Sequence, residues 1–516
     1  MEHNLKLANH FLSSLSSDKI LVNTPRQVLE AAYSIVYPTV PKLPKLLIQN
    51  HELVKDLGIN LANSDFIKVF SGTNILQNTT PFAMCYGGHQ FGHWAGQLGD
   101  GRAINLFDIK ANNKKHSFQL KGAGPTPYSR NGDGFAVLRS SIREYICAEA
   151  MHYLGIASSR SLSLISTGND VLRDMMYNGN LKNEKGAIVC RVAESFIRFG
   201  SFEIFAARND IANLKKLLDF IIKHFYNYIV ENNDKHYYTL FSEICKRTMN
   251  LIIDWQRVGF VHGVMNTDNM SILGDTIDYG PYGWIEEFNF SFTPNTTDVE
   301  QRYCYGNQAS IALWNLTKLA NALLPLMPNK EILQAILNET QQNFELGYNE
   351  MIFSKLGLSK FRDIRLINDL FALMQNAEID FTLFFRSLSV FEPNNTSAFI
   401  NKIADCSYLP ESKFNAFKDL FLKWLNDYAA AINTEKELSL TRIAKMNSVN
   451  PKYIFRNYMA QLVIDEVENG EENLLHTFIK MLQFPYDEQP ENEIWFAKRP
   501  DWAKNKIGCD RLSCSS

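Results

Sequence analysis

The sequence predicts an α+β chain in two lobes, a smaller β-rich half followed by a larger helical half. Three observations carry this. A glycine-rich segment leads into two alternating strands near residues 102–122. Helical periodicity dominates from about 202 to 480. Early in that helical half stands "HGVMNTDNMSILGDTIDYG", residues 262–280, where Asn269 and Asp278 follow a His-Gly pair.

That motif gives the architecture a type. A protein-kinase catalytic loop reads H-R-D-L-x-x-x-N, and a magnesium-binding D-F-G follows it. His262 and Asn269 keep the His-to-Asn spacing, and Asp278-Tyr279-Gly280 stands in place of D-F-G. The expected fold is therefore protein-kinase-like, with an N-terminal extension and a mostly helical C-terminal region. The position of the kinase base, two after the His, is Val264.

The elements follow in order. Residues 1–80 mix short helical patterns with Pro-containing extended pieces such as "YPTVPKLPKLL" and read as an extension wrapped on the body. Residues 81–200 form the smaller lobe. Within it, "FAMCYGGHQFGHWAGQLGDG" is too rich in glycine for a regular element, since each Gly weakens a helix or strand by roughly 0.5–1 kcal/mol relative to Ala. It reads as a structured loop close to a ligand. "RAINLFDIK" is a strand, "ANNKK" a turn, and "HSFQLKG" a second strand with Phe118 and Leu120 on one face and Lys121 on the other. A helix is expected from about Val137 to Leu154, then further strands over 161–200, with "AIVCRVAES" the most strand-like. Residues 201–480 are the helical lobe, with "FEIFAARNDIANLKKLLDFIIKHFY" and "LFSEICKRTMNLIIDWQRVG" as its first helical runs and the motif region as strand–loop–strand. Residues 481–516 form an irregular tail.

Composition narrows the function classes. Of 516 residues, 46% are hydrophobic and 21% charged, with 52 Lys+Arg against 55 Asp+Glu, a net charge of −3. That balance points to neither nucleic acid nor a membrane surface as partner. The N-terminus carries no apolar run of signal length and no Arg-rich amphipathic stretch, and no segment reaches the ~18 apolar residues of a membrane span. A cytoplasmic protein is the expectation. The eight cysteines are dispersed through a long chain, which argues against a structural disulfide framework.

Several residues are candidates for chemistry. Asn269 and Asp278 supply hard oxygens of the kind Mg²⁺ takes beside nucleotide phosphates and water. Lys121 ends a strand, and Glu144 lies on the following helix between Arg143 and Tyr145. An ion pair between them, the kinase device for holding phosphates, requires the helix to aim Glu144 inward. Arg191 and Arg198 would lie on opposite faces of an unbroken strand, but a bend after Ser195 would bring both to one anion. Asp268, one residue before the metal Asn, is placed to replace the base missing at Val264. His89 and His93 have zinc-helix spacing, but Gln90 stands where a zinc protease needs Glu, and the surrounding glycines oppose a helix.

"YGGHQFGHWAGQLGDGRA", "QLKGAG", "LRSSIREY", "HGVMNTDN", "DYGPYG", "NPKYIFRNYMAQ", "EQPENE", "PDWA" and the terminal "SCSS" resemble the selenoprotein O family over almost the whole chain. The resemblance implies a kinase-like fold that binds ATP in a flipped orientation. It implies transfer of AMP, with release of pyrophosphate, to Ser, Thr or Tyr hydroxyls of proteins, in a pseudokinase site that uses Mg²⁺ or Mn²⁺. It implies nucleotide-binding roles for Gly99, Gly101, Arg102, Lys121, Asp133, Gly134, Arg191, Arg198 and Asp278. Asp268 is implied as proton acceptor, Lys121 and Glu144 as the ion pair, and Asn269 and Asp278 as metal ligands. A link to redox stress is implied through Cys514, third from the end, where eukaryotic relatives carry selenocysteine.

Two positions depart from the family pattern. Phe135 follows "GDG" where the family has Arg, which removes one anion contact. Pro294 stands where the family places the cysteine that pairs with the terminal one, so a disulfide of Cys514 would have to use Cys304 or Cys509. Three rival functions share parts of the pattern. A Mn²⁺-dependent uridylyltransferase uses the same residues. An aminoglycoside-kinase-type phosphotransferase shares the His-Gly and Asn but needs a base at position 264. A non-catalytic nucleotide-binding scaffold is opposed by the joint presence of Asp268, Asn269, Asp278, Lys121 and Glu144.

Overall fold

The computed structural model describes residues 5–230 and 235–513 of the chain. One antiparallel sheet organises the smaller lobe. Its strands are β1 (Tyr33–Ile35), β2 (Lys45–Gln49), β3 (Phe82–Met84), β6 (Ala103–Ala111), β7 (Lys114–Lys121), β8 (Ala136–Val137), β9 (Arg160–Arg173) and β10 (Lys182–Ala193). The order across the sheet is β1-β3-β6-β7-β10-β9-β2, and β8 pairs with β10. Both edge strands come from the N-terminal 80 residues, so that segment completes the sheet as well as wrapping it.

The β6–β7 hairpin forms where its sequence asks for it. Asn112 and Asn113 both take positive φ, 50° and 61°, the two-residue turn whose twist suits a hairpin and which Asn tolerates. Register then sets faces. Phe118 and Leu120 enter the core, while Gln119 and Lys121 share the opposite face, with Arg191 of β10 directly across from Gln119.

The glycine-rich stretch departs from expectation. It holds a second small hairpin, β4 (Gly87–Gln90) and β5 (His93–Gln97), turned by Phe91 and Gly92 at φ 49° and 86°. The glycines there serve close approach rather than loop freedom. A Cβ on Gly88 would stand 2.9 Å from Asp268 Oδ1, and one on Gly87 would stand 2.5 Å from the Trp94 ring.

Helices α1 (His10–Ser14), α2 (His51–Asp56) and α3 (Asn63–Phe70) brace the N-terminal segment, and α4 (Leu138–Tyr153) packs under the sheet. The first helical run of the larger lobe is split, not continuous: α5 (Phe199–Ala207) ends, Asn209 turns at φ 54°, and Asp210 caps α6 (Ile211–Phe225) by accepting from Asn213 N at 3.1 Å. There follow α7 (Lys235–Val258), α8 (Gln308–Leu323) and α9 (Lys330–Lys355), with mostly helical structure onward to Leu482. Between α7 and α8 the motif region keeps only two-residue strands, β11 (Phe260–Val261) and β12 (Gly283–Trp284), around a single 3₁₀ turn at Thr267–Asn269. Its backbone is committed to side chains of neighbouring segments instead of to a ladder. The larger hydrophobic core runs through both lobes, and a second one is centred on residues 351–446 with Phe288, Phe371 and Phe381 stacked within it. The tail folds back on the body, and Leu512 is fully buried.

Candidate active site

β7, α4, β10 and the 3₁₀ turn converge on one charged cluster. Lys121 Nζ lies 2.7 Å from Glu144 Oε2, with 7% and 2% of the two residues exposed. Glu144 reaches inward because α4 is buried on almost every side at this level. Its other oxygen takes Arg191 Nη1 at 3.1 Å.

Asp278 is the second anion of the cluster. It sits in the left-handed region at φ 60°, which Asp tolerates better than most residues. Arg191 donates to its Oδ1 and Arg198 to its Oδ2, and Lys121 stands 3.8 Å away. The two arginines converge by the bend the sequence allows for. β10 ends at Ala193, the chain turns through Ser195, and Arg198 becomes the residue that opens α5. Burial alone would raise the Asp278 carboxyl, but Arg198, Arg191 and Lys121 outweigh it and hold it well below the usual range. The Lys121 ammonium is lowered by burial, with Glu144 and Asp278 opposing.

Asp268 is different. Burial pushes it up to about 7, with Arg198 and Gln90 opposing. Gln90 Nε2 donates to Oδ2 at 3.2 Å, while Oδ1 is buried without a hydrogen-bond partner. Arg198 Nη1 also donates to the Asp268 carbonyl at 2.7 Å, so one guanidinium links the turn to Asp278. Val264, at the kinase-base position, uses its carbonyl to accept from Asn269 Nδ2 at 2.9 Å. That bond uses the Asn269 Nδ2 and leaves its amide oxygen, an acceptor and a candidate metal ligand, turned to other partners. His262 is buried against Trp255, and Nε2 lies 3.2 Å from the Ile277 carbonyl, so it pins the turn to the Asp278 segment.

The donor types suit a divalent cation, although both Asp278 oxygens here accept from Arg191 and Arg198, which a bound ion would have to share or displace. An ionised carboxylate and an amide oxygen are both hard ligands, and among the described residues no group of three His, Cys, Asp or Glu competes for a metal. Asn269 and Asp278 would hold such an ion together with phosphate oxygens and water.

The remaining candidates lie around this cluster. Gly99 and Gly101 pack against the next glycine-rich segment. A Cβ on Gly99 would meet the Tyr128 ring at 2.5 Å, and one on Gly101 the Tyr128 carbonyl at 2.8 Å. Arg102 is exposed beside Lys121 and adds to its depression. Asp133 is exposed and paired with Arg173 at 2.7 Å, and Gly134, at φ 75°, lies against Gly124. Arg173 also donates to the Phe135 carbonyl at 2.9 Å, placing a guanidinium next to the position where Phe replaces the family Arg.

Sequence reasoning missed the polar shell. Gln119 accepts from Arg191 and donates to Asp100 at 3.3 Å, and Asn105 donates to Asp100 at 3.1 Å. Their signal was present: Asn105, Gln119 and Lys121 alternate with core residues in strands. Gln90, Thr267 and Glu203 were missed as well. His89 and His93 lie on the two strands of the β4–β5 hairpin and not on a helix; His89 Nδ1 lies 2.6 Å from Glu203 Oε1 and its backbone N–H donates to Thr267 Oγ1 at 2.7 Å.

All seven described cysteines are free and buried. Burial raises the Cys304 thiol and pushes Cys509 up to about 11. Cys514 lies outside the described residues. Leu512 docks where the sequence has Pro294: its N–H donates to the Pro294 carbonyl at 3.1 Å, and Thr296 N–H donates to the Leu512 carbonyl at 2.8 Å. No helix among the described residues is long and apolar enough to cross a membrane.

A kinase-like lobe with Val264 where a kinase has its base, and with Asp268 beside Asn269, departs from a γ-phosphate kinase and is compatible with a nucleotidyltransferase. The comparisons agree. The family profile described as "Protein adenylyltransferase SelO" matches residues 22–483. The chain is 52% identical to a protein nucleotidyltransferase YdiU of Flavobacterium johnsoniae, over 99% of this chain and all of that one. It is 47% identical to the YdiU protein of Methylobacillus flagellatus, over 99% of this chain and all of that one, and 44% identical to that of Rhodopirellula baltica over the full length of both. The chain belongs to the SelO family.

Proposed function

We propose that this chain transfers AMP from ATP to Ser, Thr or Tyr hydroxyls of proteins, in the cytoplasm, with Asp268 as the proton acceptor. The observation that carries the reading is the buried, unpartnered Oδ1 of Asp268 one residue before Asn269, combined with Val at the kinase-base position. The acceptor oxygen bonds to the α-phosphorus, the bond from that phosphorus to the bridging oxygen breaks, and pyrophosphate leaves. The hydroxyl proton passes to Asp268. Lys121, Arg191 and Arg198 offer the positive charge that the triphosphate and departing pyrophosphate require, and Glu144 fixes Lys121. Mg²⁺ or Mn²⁺ held by Asn269 and Asp278 would add charge neutralisation at the phosphates. Gly99, Gly101, Arg102, Asp133 and Gly134 complete the proposed nucleotide site, and Cys514 is its proposed redox-responsive thiol.

The test is isotopic. Purified protein with Mg²⁺ and ATP labelled at the α-phosphate should label protein acceptors, whereas γ-labelled ATP should not. Label arriving from γ and not from α would overturn the proposal. Parallel reactions with α-labelled UTP and Mn²⁺ establish the nucleotide preference.

A further inference from the structure

The surface beside Asp268 carries two cations on one aromatic ring. The Arg302 guanidinium carbon lies 4.6 Å from the centre of the Trp314 ring, and Lys318 Nζ lies 4.7 Å from it. Trp314 and Lys318 stand one turn apart on α8, and Arg302 comes from the loop that leads to it. Among the described residues neither cation reaches a carboxylate within ion-pair distance; Arg302 Nε and Nη2 are buried without a hydrogen-bond partner, while Arg302 and Lys318 as whole residues are half-buried. Two nearby acids are otherwise committed, and a third, Glu300, is exposed two residues before Arg302. Asp298 accepts from the backbone N–H of Arg302 at 3.0 Å and of Tyr303 at 2.7 Å, and Glu203 is buried against His89.

This pair is tied to the base. Tyr303 OH donates to Asn266 Oδ1 at 2.6 Å, and Trp314 stands edge-on to the His89 ring at 5.5 Å. His89 in turn bonds Thr267, so both attachments end at the two residues preceding Asp268. Trp94, 40% exposed, flanks the same histidine at 5.3 Å. Cations ordered on an aromatic face lose less freedom when they pair, and a guanidinium edge suits a carboxylate.

We propose that Arg302 and Lys318, held on Trp314, form an acceptor-docking surface that selects protein segments with acidic residues flanking the modified hydroxyl. This rests on the transfer to protein hydroxyls proposed above. An extended segment advances ~3.3–3.6 Å per residue, so a segment with its hydroxyl at Asp268 carries its flanking residues away from that point toward neighbouring surfaces.

Full-length protein is assayed with α-labelled ATP on peptides bearing one Ser flanked by Asp and Glu, by Asn and Gln, or by Lys. The expected order of kcat/KM is acidic, neutral, basic, with at least about a tenfold span. Lys318→Glu compresses that span, and Arg302→Glu with Lys318→Glu inverts it, at unchanged KM for ATP. Lys318→Gln, on the partly exposed helix face, gives an intermediate span and keeps the test independent of any folding defect in the double variant. Equal use of the three peptides, or an acidic preference that survives Lys318→Glu, overturns the docking surface. Label on proteins but on none of the peptides overturns it too and leaves the transfer reading standing, whereas no label on any acceptor removes both.

Discussion

Glu144 stands 2.7 Å from the Lys121 ammonium and 3.1 Å from Arg191, so one buried carboxylate serves two cations. By direct ion pairs the cluster holds three cations, Lys121, Arg191 and Arg198, against two carboxylates, Glu144 and Asp278, with buried Asp100 and Asp268 farther from Arg198. The two members of the ion pair are therefore not equivalent. Glu144→Gln leaves three buried cations on one carboxylate and is expected to cost about 3–5 kcal/mol, the range for an uncompensated buried charge. Lys121→Met leaves two arginines on two carboxylates and is expected to cost roughly half that or less. Both should abolish transfer. Urea unfolding checks the asymmetry, and equal losses would refute it.

Asp268 is expected to act on the proton, not only to order the turn. Asp268→Asn keeps the shape and the contact from Gln90 but cannot accept a proton. It should lower kcat about 10²- to 10⁴-fold with little change in nucleotide binding, and Asp268→Ala should do the same. An Asn variant near wild-type rate, with a dead Ala variant, would assign Asp268 an ordering role.

Gly200, at the start of α5, lies where the hairpin and the turn meet. A Cβ there would stand 2.1 Å from the Gly87 carbonyl oxygen and 3.6 Å from the Asp268 Cα. The obstacle is backbone, so Gly200→Ala must push β4 away. A loss of about 1–3 kcal/mol is expected, with a fall in kcat, because the displaced strand also carries Gln90. Wild-type melting temperature and rate in this variant would show that the hairpin does not support Asp268.

The parts of this site that could be read in the sequence are those set by local chemistry. The Asn112-Asn113 turn and the alternation of Phe118, Leu120 and Lys121 gave β6, β7 and the lysine at the strand end. Helical periodicity gave α4, and the Glu144 requirement followed from it. Tertiary decisions were harder to see. Whether Arg191 and Arg198 meet depends on a bend that propensity does not record. Gln119 and Asn105 look like solvent-facing strand residues until a buried Asp100 is known to face them. Gly87 and Gly88 argued against a strand on intrinsic preference, yet β4 forms because only glycine fits against Asp268 and Trp94.

Glu435 gives the clearest pH dependence of stability. At the end of the helix Lys418–Glu435 its carboxylate accepts from Ser359 Oγ at 2.6 Å and from the N–H groups of Lys360 and Phe361 at 2.8 and 2.9 Å. Burial opposes the charge, but these donors lower the group from its ordinary 4.5 to about 2. A depressed folded value means the stabilisation is complete above the unfolded value and fades as the solution is acidified through the folded one. Glu435→Gln is expected to lose about 1–3 kcal/mol at neutral pH. The gap from wild type should narrow between pH 4.5 and about 2. A gap independent of pH would mean that packing, not charge, makes the contribution.

Burial protects the thiols of Cys304 and Cys509. Cys509 and Cys304 are buried, both thiols are raised above their ordinary value, and the backbone of Leu512 is bonded on both sides to the 294–296 segment. Modification of either cysteine then requires local opening around it, and its rate reports that opening. In the native protein, Cys304 and Cys509 should alkylate far more slowly than an exposed thiol. Leu512→Asp, which puts a charge at a fully buried position, should speed modification of Cys509 at least about tenfold while leaving buried Cys147 in α4 protected. Peptide mapping after timed alkylation measures both. Equal rates at Cys509 with and without the substitution would place its protection elsewhere than in the Leu512 contact.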